Sequence, residues 1–180
     1  MKTEFEVRIL DIDPGQIKRK LDEIDAIHHG DFHMQRCVYN IPGKEGHTWI
    51  RLRHDGIKST LAYKERKDDG VKGVSEAEVR VDSFNKAKQI LDNMNLKFVA
   101  WQENKREQYQ LGEIEFSIDY WPLLPPHVEV EGPDEAAVKK GVELLGYTMD
   151  QTTTKTKLEL YKDKGIDQHK YKKLTFDVQE

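Results

Sequence analysis

A chain of 180 residues is long enough to bury one sizeable core, so a single domain over 1–180 is expected. With 34% charged residues and a net charge of -4, bulk charge excludes a basic nucleic-acid binder, and no nucleic-acid partner is expected. A single cysteine, Cys37, excludes an internal disulfide framework and a cysteine metal site; with no apolar run near the ~20 residues of a membrane span, the expectation is a soluble cytoplasmic protein without signal peptide or membrane partner.

The first predicted strand, 4–9, alternates without a break: Glu4, Glu6 and Arg8 share one face, and Phe5, Val7 and Ile9 the other. Asp13 then caps a predicted helix with Pro14 in its first turn, and Ile17, Leu21 and Ile24 carry the apolar stripe to about Ala26. A second strand is expected over 32–41, ended by Pro42-Gly43. His28, His29 and His33 would lie at the junction before it as surface residues, because they lack helical ligand spacing.

Residues 49–53 and 59–66 read as a hairpin about Asp55-Gly56, with Ala62, Lys64 and Arg66 on one face. After a loop at 67–70, a strand over 73–81 carries Glu76 and Glu78, and Ser83 caps a helix marked by Phe84, Ala87, Leu91 and Met94. Strands over 99–110 and 113–120 follow, turned at Leu111-Gly112; three prolines, Pro122, Pro125 and Pro126, argue against a regular ladder just beyond. The strand segment 127–131 supplies Glu129 and Glu131. Asp134 opens a helix ended by Gly146, and a short helix runs to Lys164 with Gly165 as its stop.

About eight strands and three main helices result. Their polar faces are unusual for half-solvated strands, being almost wholly carboxylate or cationic. Closing the sheet into an eight-stranded antiparallel barrel, α+β in class, would turn those faces inward and put the apolar faces outward under helices. Two Glu-x-Glu pairs, Glu4/Glu6 and Glu129/Glu131, would crowd carboxylates that cannot all stay ionised without a cation, and oxygen ligands favour Mg2+ or Mn2+. Facing them are Arg8, Arg51, Arg53, Lys64, Arg66 and Arg106, which suits a polyanion carrying its own divalent metal, such as a triphosphate. The competing account is an exposed sheet face laced by weak interstrand salt bridges. No glycine-rich phosphate loop or nucleophile elbow is present, so a phosphate site would have to be made of side chains.

These residues resemble the CYTH superfamily, the triphosphate tunnel metalloenzymes, over nearly the whole chain. The likeness rests on Glu4-x-Glu6-x-Arg8, Arg51-Leu52-Arg53, Tyr63-Lys64, Glu76-Ala77-Glu78, Arg106-x-x-Tyr109, Asp119 and Glu129-Val130-Glu131, in the family's order. It implies a triphosphate tunnel with metal on Glu4, Glu6, Glu129 and Glu131. Substrate would lie on Arg8, Arg51, Arg53, Lys64 and Arg106, with Glu4, Glu6, Arg8 and Lys64 catalytic, and Glu78 and Asp119 as supporting groups. Three departures stand out: Arg8 replaces the family's lysine, Asn104 stands where a lysine often precedes the conserved arginine, and the C-terminal Ser-Tyr element is missing, with Lys155 or Lys157 as substitutes.

The expected function is a metal-dependent triphosphatase acting on inorganic or a related organic triphosphate, as a monomer or homodimer. The alternatives are a class IV-type adenylyl cyclase making cyclic AMP and pyrophosphate, with Trp49, Trp101 or Trp121 stacking the base, and a non-catalytic polyphosphate or nucleotide sensor.

Overall fold

The computed structural model describes residues 2–67, 74–167 and 170–177, with side chains from Phe5 onward. The loop expected at 68–70 and the strand start expected at Gly73 lie outside them. The elements are β1 (Lys2–Ile9), α1 (Pro14–Glu23), β2 (Ile27–Asn40), β3 (Thr48–His54), β4 (Ser59–Arg66), β5 (Val74–Val81) and α2 (Phe84–Asp92). Then come β6 (Lys97–Leu111), β7 (Ile114–Trp121), β8 (Leu124–Gly132), α3 (Glu135–Leu144), α4 (Lys157–Asp163) and a short β9 (Lys173–Leu174). No helix among the described residues is long and apolar enough to cross a membrane.

The antiparallel strands run β2-β3-β4-β5-β1-β8-β7-β6, and β6 pairs back onto β2 from Ile27↔Gln110 to Asn40↔Lys97, so the sheet closes into the expected eight-stranded barrel. β9 adds a parallel pairing to β6 outside this ring, at Trp101 and Gln102. Among the described residues β1 pairs with β5 through Lys2, Thr3 and Glu4, and on its other edge with β8 from Phe5 to Ile9. At Arg8, Thr153 bridges to β1: Arg8 N–H donates to the Thr153 carbonyl at 2.8 Å, and Thr153 N–H to the Arg8 carbonyl at 2.9 Å. This satisfies edge groups that would otherwise be orphaned.

Alternation sorts the two faces as expected. Val7, Ile9, Phe116, Ile118, Val128 and Val130 point outward and are covered by Ile17 and Leu21 of α1 and Val138 and Val142 of α3. On the opposite wall Cys37, Tyr39 and Leu52 lie under Leu91 of α2. A third cluster, Trp121, Tyr161 and Leu174, packs α4 and β9 against the β7–β8 end of the barrel, where the Tyr161 hydroxyl donates to the Pro122 carbonyl at 2.8 Å.

Three boundaries differ from the sequence reading. α1 stops at Glu23 rather than Ala26, because Asp25 turns left-handed (φ 56°) and Ala26 N–H returns to the Leu21 carbonyl at 2.9 Å, a Schellman-type ending made without glycine. β2 begins at Ile27, so the exposed His28, His29 and His33 stand on the strand itself and not at a junction; a bulge at Gly30 (φ 142°) lets this long strand follow β6. β8 begins at Leu124, prolines included. Pro125 and Pro126 are tolerated because the β7–β8 register slips between Asp119 and Trp121, and the β1 pairing starts only at Val128.

Gly141, in the middle of α3, permits the helix to sit directly on the sheet: a Cβ there would meet Val130 Cγ1 at 2.6 Å and Ile114 Cγ2 at 2.9 Å. Gly141→Ala should therefore lower stability by about 1–2 kcal/mol despite alanine's better helix propensity, because overpacking outweighs the gain. Urea denaturation checks this, and a more stable variant would show that α3 can shift off the sheet.

Candidate functional site: the charged interior of the barrel

Cross-strand partners share a face, so the register lists what points inward. Glu6 opposes Glu131, which opposes Glu115, so that three carboxylates on β1, β8 and β7 form one row. The next row brings Arg8 opposite Glu129 and Ser117, and beyond it Arg106 opposite Asp119, which opposes His127. Across the barrel, Arg36 opposes Arg53, while Lys64 opposes Glu76 and Ala62 opposes Glu78.

The middle of this interior is one ionic network. Arg106 grips Asp119 with two bonds, Nε to Oδ1 at 2.7 Å and Nη2 to Oδ2 at 2.8 Å, and reaches Glu129 Oε1 at 3.0 Å. Arg8 Nη2 lies 2.8 Å from Glu129 Oε2 and 2.6 Å from Glu6 Oε1, and Arg8 Nη1 donates to the Lys155 carbonyl at 3.0 Å. Asp119 is fully buried and Glu129 is 7% exposed, yet both stay ionised. Burial opposes the charge of Asp119, but Arg106 and Lys157 outweigh it and hold its pKa at about 2; Arg8, Lys157 and Arg106 hold Glu129 well below the carboxylate range in the same way. In turn, burial disfavours the Arg8 cation, but Glu6 and Glu129 raise its pKa above the usual value.

A second network lines β3, β4 and β5. Arg51 Nη2 is 2.9 Å from Glu78 and 3.3 Å from Glu76, Arg53 is 3.6 Å from Glu78, and Lys64 is 2.6 Å from Glu76. Burial, with Arg51 and Arg106 near, brings the Arg53 pKa down to about 10.

The structure thus gathers Glu6, Arg8, Arg106, Asp119 and Glu129 in one network, and Arg51, Arg53, Lys64 and Glu78 in another. Glu131 takes its place in the carboxylate row; the Glu4 side chain lies outside the described part, although the β1 backbone at Glu4 pairs with Val74. Of the two C-terminal lysines, Lys155 is exposed and pairs with Asp163 at 2.6 Å, whereas Lys157 points into the barrel, 3.3 Å from Glu129 and 2.7 Å from His127 Nε2. Burial, with Arg8 nearby, lowers the Lys157 pKa to about 8; burial, with Lys157 nearby, lowers His127 to about 3, so its ring is neutral and accepts from the ammonium. Arg66 leaves the interior group to pair with Glu159 of α4 at 3.1 Å.

Sequence reasoning did not name Glu115, His127 or Arg36 as site residues. Glu115 and His127 were legible in the alternation of their strands, but Arg36 sits in a stretch, His33-Met34-Gln35-Arg36-Cys37, with no charge periodicity.

Residues 2–157 match the family model for the CYTH domain. The chain belongs to the CYTH family. No curated protein matches it in sequence. Among solved structures, PH1012 protein from Pyrococcus horikoshii is similar at 20% identity and a TM-score of 0.76, over 87% of this chain and 98% of that one. A Vibrio parahaemolyticus protein described as a candidate adenylate cyclase superposes with a TM-score of 0.75 at 13% identity, over 89% of this chain and 98% of that one. The Hippeastrum protein HpAC1, described as a candidate adenylyl cyclase with a dominant triphosphatase activity, reaches a TM-score of 0.63 at 14% identity, over 91% of this chain and 96% of that one. At these identities the likeness establishes a common fold.

Oxygen-rich, cation-rich and enclosed, this CYTH interior can hold anions by side chains alone. Among the described residues, no three carboxylates or imidazoles are gathered into a ready cation cage. The donor set nonetheless fits a hard divalent ion, since the Glu6–Glu131–Glu115 row places like charges directly opposite one another, an arrangement that a cation relieves.

Asp119→Asn should cost about 3–5 kcal/mol at neutral pH, because it leaves Arg106 without its two-bond partner. A carboxyl with its folded pKa lowered to about 2 contributes stability above its unfolded pKa and loses it as pH falls through the folded one. The gap between wild type and variant in urea denaturation should be constant above about pH 5 and shrink from about pH 4 toward pH 2. A gap that is the same at pH 7 and pH 2 would remove the ionic account.

Proposed function

We propose that the barrel interior is a divalent-metal-dependent triphosphatase site for inorganic triphosphate or a related organic triphosphate. The observation that carries this reading is one barrel interior that holds a row of carboxylates, Glu6, Glu131 and Glu115, together with the inward cations Arg8, Arg51, Arg53, Lys64 and Arg106, within a CYTH chain. Glu6, Glu131 and Glu129, with Glu4 two residues ahead of Glu6, would hold Mg2+ or Mn2+, and such an ion supplies charge compensation and polarisation for the phosphoryl oxygens. Arg8 pairs with two of these carboxylates, Glu6 and Glu129, and so stands at the border between the metal-holding residues and the phosphate-binding cations.

Arg8, Arg51, Arg53, Lys64 and Arg106 then bind and orient the phosphate chain by charge-assisted bonds. Asp119 fixes the plane of the Arg106 guanidinium through its two bonds, and Glu76 and Glu78 set Arg51, Arg53 and Lys64. Lys157 adds a cation beside Glu129 from outside the strands. Phosphoryl transfer to water gains mainly from such positioning and charge stabilisation.

The cyclase alternative needs a platform for a base. Trp121 is buried under the C-terminal segment, and Trp101 packs outward on Phe84 at 5.6 Å. Trp49 shares the inner face, opposite Lys64, while the Trp121 ring is occupied by the inward Arg36 guanidinium at 4.2 Å and is not open to a base. Phosphate release should therefore dominate over cyclisation. Assayed with Mg2+ and with Mn2+, the protein should release phosphate from inorganic triphosphate, and from ATP should yield ADP and phosphate. Arg106→Ala and Glu131→Gln should each reduce kcat/KM by about a hundredfold or more. Cyclic AMP and pyrophosphate as the main products would favour the cyclase, and tight binding without turnover would favour the sensor.

A further inference from the structure

Each inward cation named above, Arg8, Arg51, Arg53, Lys64, Arg106 and Lys157, has a carboxylate within ion-pair distance. Arg36 on β2 does not, among the described residues. Its Nη2 donates to the Asn104 side-chain oxygen, and its guanidinium carbon lies over the Trp121 ring, 4.2 Å from the centroid. Its Nε is buried without a hydrogen-bond acceptor, as are the Nε atoms of Arg8 and Arg51 and the neighbouring Trp121 indole N–H. Asn104, wholly buried, bridges onward to Asp119 at 3.5 Å, so a neutral amide stands between the guanidinium and the nearest carboxylate.

An arginine cannot shed its proton in a protein, so it must keep a charge that burial and the neighbouring Arg51, Arg53 and Arg106 disfavour and that Asp119, beyond the amide, offsets only in part. Unmet donors beside a cluster of like charges are the mark of a site built for an anion. Strand register sets Arg36 between Arg53 of β3 and Gln102 of β6, on the inner face that also carries Arg106 and Asn104.

We propose that Arg36 is a further substrate-binding residue, taking phosphoryl oxygens on the β2–β3 wall of the barrel interior, with Asn104 and Trp121 holding its guanidinium in place. This rests on the polyphosphate reading above and deepens it. The anion would join Arg36, Arg53 and Arg106, which repel one another without it.

The test is calorimetric titration of inorganic triphosphate, with Mg2+, into the full chain, comparing wild type, Arg36→Met and the double variant Arg36→Met/Asn104→Lys. Arg36→Met should weaken binding by about tenfold to a hundredfold, the worth of one or two charge-assisted bonds. Because the Asn104 side chain touches the Arg36 guanidinium, Asn104→Lys returns a cation to the same place from β6 and should recover at least half of that loss on a logarithmic scale. The ligand-free Arg36→Met variant should also melt no lower than wild type, since it removes an uncompensated charge. Binding by Arg36→Met equal to wild type, or a loss that Asn104→Lys does not recover, would overturn the inference while leaving the triphosphate site standing. Failure of the wild type to bind would remove both.

Discussion

Everything inside this barrel depends on one electrostatic requirement: charges taken out of water must be paired. Glu129 meets it most fully. Its two oxygens are divided among Arg8, Arg106 and Lys157, which come from β1, β6 and α4. A carboxylate with three cations stays ionised where it is nearly dry, and the cations keep their geometry because the carboxylate is there. Replacing such a network with apolar side chains would often be no less stable, so its retention points to a use for the charges.

That requirement also explains why the C-terminal segment belongs to the barrel. Thr153 bridges to the β1 backbone at Arg8, and Arg66 of β4 reaches Glu159 of α4. The same segment brings Lys157 beside Glu129 and seats Tyr161 against Trp121. Support of the wall and delivery of a cation are thus done by one stretch. Thr156 supports it, accepting from Glu159 N–H while the Glu159 carboxylate accepts from Thr156 N–H, a reciprocal cap at the start of α4.

The outer surface follows the opposite rule. There the apolar faces of the strands are covered by α1, α2 and α3, and the closest approach is bought with glycine at position 141. A rigid, helix-clad shell around a polar interior is the arrangement that preorganisation asks for: the donors are held before any ligand arrives, and their reorientation cost is met in folding.

Much of this was legible in the sequence. Strand alternation with period two assigned Glu6, Arg8, Arg51, Arg53, Lys64, Asp119, Glu129 and Glu131 to inward faces, and the capping residues Asp13, Ser83 and Asp134 marked three helix starts where they occur. Such features depend on a residue and its near neighbours, so they survive without knowledge of the fold. What tertiary structure alone decided is which charges meet. Strand order and register put Arg36 beside Arg53 and Asn104, and sent Lys157 rather than Lys155 to Glu129; the same register stretched β2 back to Ile27 and let β8 begin among prolines. Contacts between residues far apart in the chain are fixed by how the ring closes, and a local pattern carries no record of the partner strand.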